Sequence, residues 1–141
     1  MPVTDDELRV LLRSAESDRI ERKKSASGDV LHKIREAICG FANDLPHHQL
    51  PGYIFVGVND DGTPSGLAIT DKVLLDLATI KLDGKILPPP TMSVEKRSLD
   101  GNTFALIEVT PSDAPPVRLD GRVLVRIGSR RGIATAQDER V

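Results

Sequence analysis

The 141-residue chain predicts an α/β fold, α+β in layered terms: one mixed central sheet with helices packed on it. Three observations carry that reading. Residues 53–58 (Tyr-Ile-Phe-Val-Gly-Val) form a near-unbroken apolar run fenced by glycine and proline, the pattern of a strand buried on both faces. Residues 30–43 and 70–80 repeat apolar side chains at helical spacing. Asp100-Gly101 and Asp120-Gly121 sit between alternating apolar stretches, as two-residue hairpin turns do.

Taken in order, Thr4 and Glu7 make a capping box, and Leu8, Leu11, Leu12 and Ala15 continue an amphipathic helix to about residue 15. Three acids follow: Glu16, Asp18 and Glu21. They form either a solvated turn offset by Arg19 and Arg22, or a set of ligands for a cation. Residues 19–24 read as a short strand, on which Glu21 and Lys23 share one face and Ile20 and Arg22 the other. Glu-x-Lys on a strand can hold a metal and orient a water, although such pairs commonly serve as surface ion pairs. Ser27, Gly28 and Asp29 precede a helix over 30–43. Its apolar face comprises Val30, Ile34, Ala37, Ile38 and Phe41, which sets Cys39 on the opposite side near His32 and Arg35.

The loop 44–51 carries His47 and His48 between two prolines; adjacent loop histidines seldom converge on one ion. After the central strand, Asn59-Asp60-Asp61-Gly62 predicts a tight turn. The spacing from Gly57 to Gly62-Thr63 approaches a phosphate loop. It lacks the lysine, and Asp60 and Asp61 would repel phosphate. Thr70 caps a third helix bearing Val73, Leu74, Leu77 and Ile80, and three prolines end the connector after it. Two hairpins follow, turning at Asp100-Gly101 and Asp120-Gly121. From Arg118 to Arg131 there are five arginines against one acid, Asp120, a local +4 in a chain of net −2. The cations guard an edge strand or recognise an anion. Arginine without lysine favours the second, because guanidinium suits bidentate phosphate contact. Thr135 with Asp138 reads as the start of a further helix, so the chain is expected either to be a fragment of something longer or to end in a frayed segment.

Composition narrows the function classes. Aromatics make up 3% with no Trp, which argues against recognition by many stacked bases. The net charge of −2 gives no global attraction for nucleic acid, so binding needs a local patch. A single cysteine excludes an intrachain disulfide framework and fits a reducing cytoplasm. No apolar run reaches the length of a membrane span.

Four pieces in order, Glu16-x-x-x-x-Glu21-x-Lys23, Gly40-Phe41-Ala42-Asn43, Gly57-Val58-Asn59-Asp60-Asp61-Gly62 with Gly66, and Arg126-x-Gly128-Ser129, resemble the Schlafen/AlbA-like DNA-binding domain over nearly the whole chain. The resemblance implies a single AlbA-like lobe. In bacteria and archaea such a lobe often fronts a longer protein, such as a transcriptional regulator or one with a RecG-like or ATPase-like part. Vertebrate relatives form a metal-dependent endoribonuclease acting on structured RNA such as transfer RNA. Its three acids look similar to Glu16, Glu21 and Asp60 here, with Asn59 or Asp61 equally matching the third. This chain departs from the pattern at Arg22, where the family has an apolar residue, and in its longer histidine-bearing loop. Nuclease relatives pair two lobes, which a homodimer would supply.

Three readings result. As a nucleic-acid-binding module, the chain would contact phosphates through Arg22, Lys23, Lys24, Arg122, Arg126, Ser129, Arg130 and Arg131. As a nuclease, Glu16, Glu21 and Asp60 would hold Mg²⁺ or Mn²⁺, with Lys23 positioning the phosphate. As a protein-interaction domain, its acids and arginines would pair with one another.

Overall fold

The computed structural model describes residues 3–14, 19–45, 47–127 and 130–133, the last four and residues 126–127 by their backbone path. In chain order the elements are α1 (Asp5–Arg13), β1 (Ile20–Lys23), α2 (Asp29–Asn43), β2 (Gly52–Val56), α3 (Asp71–Thr79), β3 (Ile86–Leu87), β4 (Thr91–Leu99), β5 (Asn102–Thr110), β6 (Arg118–Leu119), β7 (Arg122–Ile127) and β8 (Arg130–Ile133). The main sheet has the order β1-β2-β5-β4, with β1 parallel to β2 and the other pairs antiparallel. The expected central strands, β2 and β5, lie in its middle. A second sheet of order β3-β6-β7-β8 replaces the isolated arginine-bearing hairpin expected from sequence.

Alternation along β2 divides the core in two. Tyr53 and Phe55 point to a cluster with Leu8 of α1, Leu99, Phe104 and Leu106, where the rings of Phe55 and Phe104 meet edge to face at 5.5 Å. Ile54 and Val56 point the other way, into a larger cluster built by α2, α3 and the second sheet. Every residue of β2 is buried, as a strand covered on both faces requires. The capping box of α1 forms as its sequence dictates: the Thr4 hydroxyl accepts from the Glu7 N–H, while the Glu7 carboxylate accepts from Thr4. Thr70 caps α3 through the N–H of Val73. For α2, Gly28 of the Ser27-Gly28-Asp29 stretch takes the N-cap position at φ 60°, and no side chain caps the helix. Both hairpins turn through paired positive-φ residues, Asp100-Gly101 and Asp120-Gly121, the conformation their sequences favour.

Cys39 corrects the helical-wheel reading of α2. It is fully buried, because β6 and β7 cover the side of α2 that the main sheet leaves open. Its thiol donates to the Val117 carbonyl at 3.3 Å, and burial pushes its pKa up to about 11. Such a thiol is protonated at neutral pH and shielded from reagents. The expected helix start at Thr135 lies outside the described residues.

Candidate nucleic-acid interface

At the C-terminal end of β1, register and hydrogen bonds gather several of the residues singled out from sequence. Glu21 pairs in register with Ile54 and Lys23 with Val56, so both lie on the α2 face of the sheet. The Lys23 Nζ stands 3.1 Å from the Glu21 Oε1, with both side chains largely removed from solvent. The turn after β2 is sewn to the same place: the N–H groups of Gly57 and Val58 donate to the Lys23 carbonyl, and the Ser65 hydroxyl donates to that of Lys24. Within that turn Asn59 donates to Thr63 and Pro64, and two hydrogen bonds from Thr63 hold the Asp61 carboxyl below its ordinary pKa. Asp60 is exposed. Glu21 and the acidic turn therefore share one end of the sheet. Among the described residues, however, no three acids, histidines or cysteines converge as a metal-binding group. Glu16 lies outside the described residues.

Arg22, expected among the phosphate-contacting cations, has another role. It faces the α1 side in register with Phe55 and is only 5% exposed. Its Nη2 donates to the carbonyls of Leu12, at 2.7 Å, and of Ser14, two of the groups a helix leaves unpartnered at its C-terminus. The cation also complements the negative end of the α1 dipole. Lys24 is exposed.

The second basic segment rests on α2 through a side chain the sequence did not flag for that purpose. Asn43, the last residue of α2, donates through Nδ2 to the carbonyls of Val117 (2.9 Å) and Leu124 (2.6 Å), and its Oδ1 accepts from the Val117 N–H (2.6 Å). One amide thus satisfies both β6–β7 and its approach. Leu124 packs into the α2 cluster, while Val123 and Val125 form a separate cluster with Leu45 on the other face of β7. Arg122 is exposed and lines a small cavity with His32 and Glu36 of α2. Beyond Leu124, the register sets Arg126 directly across from Arg131, and Ile127 across from Arg130. Ser129 lies outside the described residues.

Both basic segments adjoin α2. Lys24 stands four residues before its N-cap, Gly28, and Arg126 lies two residues past the carbonyl that Asn43 grips at its C-terminus. Of the two, the β7–β8 ribbon is the arginine-rich one.

The profile of the Schlafen AlbA_2 family matches residues 16–135, which span the main sheet, α2, α3 and the second sheet. The chain belongs to the Schlafen AlbA_2 family. Two solved structures resemble this family member. One is the N-terminal domain of a RecG-related protein of Nitrosomonas europaea, 27% identical, with a TM-score of 0.53 over 82% of this chain and 76% of that one. The other is the DIP2311 protein of Corynebacterium diphtheriae, 15% identical, with a TM-score of 0.58 over 90% of this chain. The likeness to the second is one of fold, and this chain spans 29% of it. Among proteins of curated function, none matches the chain. Family membership gives the chain a nucleic-acid-related domain, and no helix among the described residues is long and apolar enough to cross a membrane.

Proposed function

We propose that this Schlafen AlbA_2 domain binds DNA along the phosphate backbone through the β7–β8 ribbon. The observation that carries the reading is the strand register, in which Arg126 and Arg131 are direct cross-strand partners. Like charges directly opposite one another destabilise a ladder, so a polyanion that neutralises both turns an unfavourable pair into a binding element. Arg122 extends the same strand with an exposed guanidinium, and Arg118 stands exposed on the neighbouring β6. Contacts of this kind position a protein on the backbone without reading bases. The family, and the RecG-related protein that resembles the domain, support a DNA-handling context. A role as the DNA-binding part of a transcriptional regulator fits the same contacts.

Affinity for a short duplex should fall steeply with salt, and the double substitution Arg126→Ala, Arg130→Ala should reduce the log–log salt slope by about 2, roughly one per lost phosphate contact. Titration by fluorescence anisotropy at several salt concentrations measures this. An unchanged slope and affinity in the double variant would remove the ribbon from the interface.

A metal-dependent nuclease acting on structured RNA is the second reading, and the secluded Glu21–Lys23 pair favours it. Removing two charges from water is costly, so stability alone does not account for a secluded Glu–Lys pair. Incubation of a folded transfer RNA with Mn²⁺ tests it. The wild type should cleave and Glu21→Gln should lose at least about 100-fold, the scale on which positioned acid–base groups act. Equal products with or without the metal, or from the variant, would eliminate this reading.

A further inference from the structure

A polar cavity of about 500 Å³ opens beside the ribbon, between the 44–51 loop and the segment that follows β5. That size falls in the roughly 300–1,000 Å³ range of small-molecule sites. Asn43 joins it to the ribbon: it lines the cavity and grips the Leu124 carbonyl, while Leu45, next to the lining Asp44, packs on Val123 and Val125. Among the described residues no lysine or arginine lines it, whereas Asp44 and Asp113 do. The Asp44 carboxylate already accepts from the backbone N–H groups of His48 (3.0 Å) and Gln49 (2.8 Å), and so shapes the loop. Asp113 is exposed, and no donor among the described residues reaches its carboxylate. Thr110 adds a hydroxyl, and His47 contributes a flat ring whose Nε2 lies 3.3 Å from the Gln49 amide.

We infer that this cavity receives one unpaired guanine, extruded from a DNA strand whose phosphates lie along the β7–β8 ribbon; the inference rests on the DNA-binding reading above. Two carboxylates repel a phosphate, so the part of a nucleotide that enters is its uncharged base. A carboxylate accepts from the N1–H and N2–H of guanine together, two parallel donors on its Watson–Crick edge. Adenine and cytosine offer one amino donor next to a ring nitrogen that is itself an acceptor, which would face a carboxylate oxygen. That edge of guanine is available only when the base is unpaired, the state in which single-stranded and flipped bases are read. The His47 ring offers a stacking surface, a contact that any base can use and that adds affinity without choice.

Three DNA hairpins with one stem sequence test the inference: fully paired, with a single bulged guanine, and with a single bulged adenine at the same place. Binding is followed by fluorescence anisotropy at low salt. The wild type should prefer the bulged guanine about tenfold over the other two, the lower part of the range for one bidentate base contact. Asp113→Asn, which exchanges an acceptor for a donor at an exposed position, should bring the three hairpins to similar affinity. Equal wild-type affinity for all three, or an undiminished guanine preference in Asp113→Asn, overturns the base pocket and leaves the ribbon interface standing. Failure of the wild type to bind any hairpin at low salt overturns both.

Discussion

Asn43→Ala is expected to lower the unfolding free energy by about 3–4 kcal/mol. The estimate follows from the three hydrogen bonds its amide makes, each worth on the order of 1 kcal/mol or more in a part-buried setting; the Val117 carbonyl keeps the Cys39 thiol as a donor. The loss should be uneven across the molecule. Asn43 ties the second sheet to α2, so amide exchange should accelerate in β6 and β7 before it does in β2 and β5, whose side chains lie in the two main clusters. Asn43→Asp keeps the acceptor for the Val117 N–H but sets a carboxylate against two carbonyls, and should do no better than alanine. Chemical denaturation with matched m-values measures the first effect, and hydrogen exchange the second. Stability within about 0.5 kcal/mol of wild type would mean the amide is not the tie between the two layers.

Arg22→Met is the second. Methionine keeps most of the apolar volume of the arginine stem but supplies no donor, so the Leu12 and Ser14 carbonyls lose their partner. A cost of about 2–3 kcal/mol is expected, read as a lower denaturation midpoint, with fraying concentrated at the C-terminal end of α1. DNA affinity, measured well below the melting temperature, should not change its salt slope. A phosphate-contacting arginine would give the reverse: little change in stability and a slope smaller by about 1. The two readouts separate the role seen in the structure from the one expected for a basic residue on a basic strand.

Arg22 also shows where reasoning from the chain alone stops. Its neighbours Arg19, Lys23 and Lys24 make a cationic run, and nothing local says that the middle one faces a helix end. The parity argument put it on the face shared with Ile20, which is correct, but the identity of what covers that face depends on where α1 docks. Cys39 is the same case on the other side of the sheet. A helical wheel assumes one covered face, and α2 is covered on two because the second sheet folds over it. The β3 strand escaped notice for a related reason: two residues carry no period, and Ile86–Leu87 becomes a strand only because β6 runs past it.

Local chemistry was enough for the elements themselves. Caps, apolar spacing and Asp-Gly turns act over three to seven residues, and they set the start of α1 and α3, the extent of α2, both hairpins and the buried character of β2. Motif order was enough for the family, because glycines and polar residues in the turns must recur wherever the backbone must bend the same way. What contacts what was decided by tertiary structure. Burial and the reach of a side-chain amide depend on residues distant in the chain, 74 and 81 positions away for Asn43. Thus the chain alone named its arginines, acids and Asn43, and only packing made Arg22 a helix cap, hid the Glu21–Lys23 pair from solvent, turned Asn43 into the tie between layers and set Arg126 across from Arg131.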